Sequence, residues 1–244
     1  MKSYFFILYN HIILSMLFNV PNDMNYDVFL GTNRTYFDAK TRLVKYLTNN
    51  SKLMKEILPA QDINTPVDVN VKIYLRQITN VDERYQAIRS TVWLRLNWNN
   101  PFLSWDPVVY GGIKNVHANH ELFWVPDVAL LNEATLEEQT DVLYTRLNTK
   151  LIIDKNGDCW WNVPATLLSQ CKIDVSHFPF DDQECHISIG SWAYSSHKIN
   201  FTYFERNADL TNFIESAEWK LKSAVLNNIL RRYNYYGTEL PYTD

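Results

Sequence analysis

The stretch Val67-Asp68-Val69-Asn70-Val71-Lys72-Ile73-Tyr74-Leu75-Arg76 alternates without a break. Val67, Val69, Val71, Ile73 and Leu75 fall on one side of an extended chain, and Asp68, Asn70, Lys72, Tyr74 and Arg76 on the other. Successive strand side chains point to opposite faces of a sheet, so one apolar and one mostly polar side predicts a half-buried β-strand. Toward the C-terminus, Asn80-Val81-Asp82-Glu83 reads as a turn and residues 91–98 as the next strand. Leu151-Ile152-Ile153 and Cys159-Trp160-Trp161 flank a polar hairpin turn at 154–158, and residues 186–190 alternate again. Short strands at turn-spaced intervals predict an all-β sandwich or barrel. Before the first strand, Leu43 and Leu47 stand four apart among Lys40, Arg42 and Lys45, which predicts a helix over 37–47 stopped by Asn49-Asn50-Ser51. No repeat, low-complexity tract or linker divides the chain, so one domain is expected after the N-terminal segment.

Composition narrows the class. A chain of 244 residues can bury a sizeable core without staples. Aromatic residues make up 14 %, which favours strands, and six glycines leave little for phosphate-cradling loops. The net charge is −4 and no Lys/Arg block occurs, which argues against a nucleic-acid partner. Lys2 followed by a largely apolar run over 4–20 reads as a secretory signal peptide, taken as residues 1–22. Asn33, Asn49 and Asn200 open Asn-x-Ser/Thr triplets and are glycosylation candidates. Three cysteines in a secreted chain suggest one disulfide and one spare thiol.

Five ordered motifs go further. Cys171 and Cys185 enclose Lys172 to Glu184, a segment that contains Phe178-Pro179-Phe180-Asp181. Trp124-Val125-Pro126-Asp127 lies upstream, preceded by Trp105-Asp106-Pro107 and Tyr110-Gly111-Gly112-Ile113-Lys114, and Gly190-Ser191-Trp192-Ala193-Tyr194 follows the second cysteine. This series resembles the extracellular domain of the Cys-loop (pentameric ligand-gated ion channel) family, nicotinic acetylcholine receptor-like, from about residue 37 to 244. The resemblance implies a twisted immunoglobulin-like β-sandwich of about ten strands with an N-terminal helix, and a ring of five homologous subunits. It also implies a Cys171–Cys185 disulfide, with Cys159 left as the free, buried thiol. Glu83 and the loop residues Phe178, Pro179, Phe180 and Asp181 are expected to face the membrane domain and couple binding to opening. Family members continue into a last strand and membrane helices, so this chain is expected to be truncated before both, with membrane contact made by segments it lacks.

In the family, agonist binds between neighbouring subunits. A protonated or quaternary amine is poorly matched by hydrogen bonds alone, whereas electron-rich rings attract it by up to roughly 2 kcal/mol per desolvated contact. The resemblance assigns Trp192, Tyr235, Tyr242 and Leu131 to the principal face, and Trp93, Ile152, Trp160 and Asn162 to the complementary face. Each aromatic taken singly also reads as core packing, and Tyr233 or Tyr236 can fill the Tyr235 role. Three departures stand out: Gly237-Thr238 replaces the adjacent cysteines of α-type subunits, Leu131 replaces a tyrosine, and Ser188 replaces a lysine. By family convention the chain is then a non-α subunit of a hetero-oligomer. The expected agonist is a cationic amine such as acetylcholine, with no cofactor, no metal and no catalysis. The expected location is the extracellular side of the plasma membrane, a postsynaptic one included, and the alternative is a secreted acetylcholine-binding-protein-like molecule.

Two other classes are weaker. A hydrolase needs a poised nucleophile, and no Gly-x-Ser-x-Gly elbow occurs. His117 and His120, with Glu121 adjacent, form a weak zinc pattern that reads more readily as a surface loop. A carbohydrate-binding sandwich would use exposed Trp and Tyr but does not account for the cysteine-bounded loop.

Overall fold

The computed structural model describes residues 26–51, 55–134, 149–235 and 238–243, with side chains described within 35–49, 55–134 and 149–234. The expected signal peptide at 1–22 lies outside the described residues. Among the described residues one α-helix, α1 (Tyr26–Ser51), precedes ten strands. They are β1 (Val67–Asp82), β2 (Ala87–Asn99), β3 (Asn115–Asn119), β4 (Ala129–Leu130), β5 (Lys150–Asp154), β6 (Asp158–Gln170), β7 (Ile189–Gly190), β8 (Ile199–Tyr203), β9 (Leu230–Tyr235) and β10 (Thr238–Thr243). No helix among the described residues is long and apolar enough to cross a membrane.

Six strands form one sheet in the order β3-β5-β6-β2-β1-β8, antiparallel except for the β1–β8 pair. Its inner face carries the alternating apolar set anticipated for β1, with Val67, Val69, Val71 and Leu75 all buried. Val92, Leu94, Leu96 and Trp98 of β2, and Cys159, Trp161, Val163 and Leu167 of β6, continue that face. The short β4–β7 pair supplies part of the opposing layer, with Leu130 and Ile189 packed against the core. Four tryptophans serve this interior: Trp98 and Trp124 meet edge to face at 5.9 Å, while Trp105 and Trp161 are also buried. The indole N–H of Trp105 donates to the Ile113 carbonyl at 2.8 Å, giving a buried polar group its partner.

Helix α1 closes the sandwich with Ala39, Leu43 and Leu47, the i, i+4 stripe that its sequence shows. The turn at 106–112 meets it: Tyr110 lies 5.9 Å from Tyr46, and a Cβ on Gly111 would come within 3.2 Å of Ala39 Cβ.

Four sequence expectations change. The helix spans Tyr26–Ser51, beyond 37–47 at both ends and through Asn49-Asn50-Ser51. β1 runs through Asn80-Val81-Asp82, and the turn occupies 83–86 instead. Val81 packs beneath this end of the sheet, which keeps the strand extended past its polar residues. The second strand spans Ala87–Asn99, longer than 91–98, because β2 pairs along its whole length with β6. Residues 186–190 contribute only Ile189-Gly190 as strand, since the Ser188 N–H and the His186 carbonyl are taken by the Asn132 side chain rather than by a ladder.

Candidate functional site

Register fixes which side chains share the outer face of the large sheet. Core residues of β2 are even-numbered and those of β6 odd-numbered, so Trp93, Arg95, Trp160 and Asn162 all face outward. His117, Ile152, Trp160 and Asn97 lie opposite one another in sequence across β3, β5, β6 and β2. The next outward row is Asn162, Arg95 and Lys72, and the next Pro164, Trp93 and Tyr74. All four residues assigned to the complementary face therefore project from one surface. Trp93 is 43 % exposed there, against 2 % for its buried neighbour on the same strand, Trp98.

Cations and rings interleave across this surface. The Arg76 guanidinium lies 4.3 Å from the Trp93 ring centroid. Arg95 and Lys72 stand 5.3 and 5.1 Å from the Tyr74 centroid. Arg95 Nε donates to Asn162 Oδ1 at 2.9 Å, and Lys72 Nζ pairs with Glu205 and Asp209 at 3.3 Å each. The Glu205 carboxylate, ahead of Asp209, holds the Lys72 ammonium above its ordinary lysine value. Asp209 is held below the usual carboxylate range by the Thr211 hydroxyl and backbone N–H, with Lys72 a smaller cause. Residues 205–214 thus run along the free edge of β1, where Asp209 and Ile214 make parallel bridges to Tyr74 and Gln77.

Trp192 sits apart from this face, in the connection after β7, and is 74 % exposed. A polar clamp holds its flanks. Asp127 Oδ2 accepts from Ser191 Oγ at 3.0 Å and from the Ala193 N–H at 2.7 Å, while Ser191 Oγ accepts from the Tyr194 N–H at 2.9 Å. Leu131 joins the same region: its N–H donates to the Ser188 carbonyl at 2.8 Å, beside the β4–β7 pair. In the β9–β10 hairpin, Tyr235 pairs with Thr238 and Tyr242 with Arg231. The Tyr235 and Tyr242 side chains, and the Tyr236-Gly237 tip, lie outside the described residues.

At one end of the sheet, Cys171 and Cys185 form a disulfide with a Cα–Cα separation of 5.0 Å. Cys159 is free and buried, and burial pushes its thiol pKa far up. The β1–β2 turn rests on the base of the disulfide loop. The Gln86 carbonyl accepts from the Cys171 N–H at 2.8 Å, and its Oε1 from the Ile173 N–H at 2.7 Å. Ile88, Cys171 and Ile173 form a small core there with Ile78, Val81 and Cys185. Glu83, Phe178, Pro179 and Phe180 project into solvent, the two phenylalanines 72 and 90 % exposed. Asp181 is half-buried and accepts from Gln183 Nε2.

Asn49 is exposed at the end of α1, and Asn33 lies within α1 with its side chain outside the described residues. Asn200 lies in β8, where its amide donates to Asp68 Oδ1 at 2.8 Å. His120 stacks on Trp161 at 4.9 Å, with Nδ1 3.1 Å from the Thr149 carbonyl, and His117 faces outward on β3. Packing accounts for His120 without a metal.

Sequence reading missed Arg76, Asp127, Asn132 and Gln86. Arg76 was visible on the polar side of β1, but its neighbour on β2 follows from register. Asp127 stands in the Trp-Val-Pro-Asp motif, but the sequence does not show the partners that give it a task.

A disulfide thus closes a loop at one end of a helix-capped β-sandwich, and tryptophans stand exposed on two separate surfaces. Residues 40–243 match the family described as neurotransmitter-gated ion-channel ligand binding domain. The chain belongs to that family. It is 32 % identical over 182 residues to the neuronal acetylcholine receptor subunit alpha-9-II of Oncorhynchus mykiss, covering 75 % of this chain and 32 % of the relative. Identity to human neuronal acetylcholine receptor subunit alpha-9 is 32 % over 187 residues, covering 76 % and 37 %. With the acetylcholine receptor subunit alpha-type unc-38 of Caenorhabditis elegans it is 32 % over 208 residues, covering 76 % and 40 %. The chain spans about a third of the length of these curated relatives.

Proposed function

We propose that this chain is the extracellular ligand-binding domain of a nicotinic acetylcholine receptor-like subunit of a pentameric ligand-gated ion channel. It binds a cationic amine such as acetylcholine at the junction with a homologous neighbour. The carrying observation is the shared outer surface of Trp93, Ile152, Trp160 and Asn162, with Trp93 exposed on a strand whose other tryptophan is core. Its relatives are named acetylcholine receptor subunits, and those relatives are α subunits. The non-α reading rests on Gly237-Thr238 at the place of the adjacent cysteines and on Leu131 at the place of a tyrosine.

On this reading the subunit serves chiefly as the complementary partner beside an α-type neighbour in a hetero-oligomer. A principal cage lacking one aromatic loses about 0.5–2 kcal/mol of cation–π attraction. Glu83 and Phe178-Pro179-Phe180-Asp181 would couple binding to the membrane domain, from the extracellular side of the plasma membrane. Asn33, Asn49 and Asn200 remain glycosylation candidates, with Asn49 the most open of those whose side chains are described. The test is a pair of substitutions in receptors co-assembled with an α-type subunit. Trp93→Ala should weaken the agonist response strongly and Trp192→Ala only mildly; the reverse ranking would make the principal face the working one.

A further inference from the structure

Trp93 does not offer a vacant ring. The Arg76 guanidinium lies 4.3 Å from its centroid, well inside the ~6 Å reach of a cation–π contact. It stands at a fault in strand pairing. Leu75 pairs with Val92 and Gln77 with Thr91, so Arg76 is the extra residue of a bulge in β1. Bulges re-aim side chains, and this one lies beside the exposed tryptophan. Its backbone is fixed by the Ile214 N–H, which donates to the Arg76 carbonyl at 2.8 Å.

Among the described residues the Arg76 side chain has no counter-charge. Lys72 pairs with two carboxylates and Arg95 with an amide oxygen, but among the described residues Arg76 makes no ion pair. Its Nη1 is buried and has no hydrogen-bond partner among the described residues. A buried guanidinium N–H without an acceptor is costly, and the ring alone cannot satisfy an in-plane donor. The site therefore combines an occupied aromatic face with an unmet demand for an oxygen acceptor.

We propose that Arg76 is a specificity-determining residue of this face, selecting amine ligands that carry an acceptor oxygen over bare alkylammonium ions. The proposal rests on the reading of the Trp93 surface as a ligand-binding one. A bare ammonium reaching Trp93 must displace the guanidinium or settle beside a like charge. A ligand with an ester or carboxylate oxygen can bond Nη1 and draw the guanidinium off the ring, which opens the face for its own cationic end.

Acetylcholine and tetramethylammonium separate the two ligand types, because only the first has an acceptor oxygen. Concentration–response curves are measured on the full-length subunit co-expressed with an α-type partner, with surface labelling to normalise for assembly. Arg76→Gln should raise tetramethylammonium potency at least fivefold relative to acetylcholine, and Arg76→Met does the same service should the first variant not reach the surface. Arg76→Lys, which keeps the charge, should move the ratio less than twofold. Trp93→Ala should weaken both agonists, and adding Arg76→Gln to it should leave the agonist ratio unchanged. An unchanged ratio in both neutral variants, with Trp93→Ala still weakening both agonists, overturns the role of Arg76 and leaves the Trp93 surface standing. If Trp93→Ala changes neither agonist, the surface reading falls and the Arg76 proposal with it.

Discussion

Replacing Asp127 should loosen the segment that presents Trp192 while leaving the sheet intact. One carboxylate oxygen, Oδ2, accepts from both Ser191 Oγ and the Ala193 N–H, on either side of the exposed ring. Ser191 is buried and passes the constraint on by accepting from the Tyr194 N–H. Hydrogen bonds to a charged acceptor contribute about 1.5–3 kcal/mol each, and removing one partner leaves the other with its desolvation cost. Asp127 is only half-buried, so the lower end applies, and Asp127→Ala should cost about 2–4 kcal/mol. Asp127→Asn keeps an oxygen in place and loses only the charge assistance, at about 1 kcal/mol. Urea unfolding of the domain measures the total. Hydrogen exchange at the Ala193 and Tyr194 amides locates it, because both N–H groups end in this clamp. Unchanged protection at both amides in Asp127→Ala, together with an unchanged urea midpoint, would refute the view that Asp127 holds this segment.

Three further outcomes follow from the geometry. Cys171→Ser with Cys185→Ser removes the constraint on a thirteen-residue loop and should lower stability by about 3 kcal/mol, read as a shift in urea midpoint. Cys159 should resist iodoacetamide at pH 8 in the native protein and react on unfolding, because a buried thiol with a raised pKa supplies almost no thiolate; rapid native labelling would contradict its burial. Gly157 has φ +86°, and a Cβ there would collide with the Asn100 carbonyl oxygen, so Gly157→Ala should destabilise the β5–β6 hairpin by about 2 kcal/mol or more. A thermal midpoint within a degree of wild type would refute that.

The sandwich was legible because its evidence in sequence is local. The alternation of Val67 to Leu75 states which face is buried, and the polar cluster 154–158 marks a hairpin that the structure forms as β5–β6. Element ends were less legible, since strand length depends on the partner: β2 is extended to Ala87 by pairing with Gln170, far away in the chain. The candidate site divides in the same way. That Trp93 and Asn162 face outward follows from parity within each strand. That Arg76 lies on Trp93 depends on how β1 and β2 pair, and nothing in Leu75-Arg76-Gln77 announces the bulge between them. Likewise Asp127 and Ser191 lie 64 positions apart, so their bond belongs to the tertiary structure alone.

The same strands that carry the Trp93 surface also reach the disulfide loop, and the two strands differ as mechanical links. β2 runs unbroken from Trp93 to Ala87, about 20 Å at ~3.3 Å per residue, and is paired throughout with β6. β1 covers the same span with two register shifts, one at Arg76 and one beside Thr79. Bulges bend a strand and interrupt its ladder, so β1 can absorb a local displacement that β2 must pass on. Beyond Ala87 stands Gln86, a non-glycine residue with φ +51°, which few side chains tolerate. Its carbonyl and its side-chain oxygen both accept from the first residues of the disulfide loop. Two bonds from one residue in a restricted conformation tie the turn to the loop base more closely than solvent-exposed Glu83 does. In the proposed receptor, a ligand that moves Arg76 off Trp93 would act at the strand that carries the bulges, while Gln86 ties the far end of β2 to the base of the loop that carries Phe178-Pro179-Phe180-Asp181.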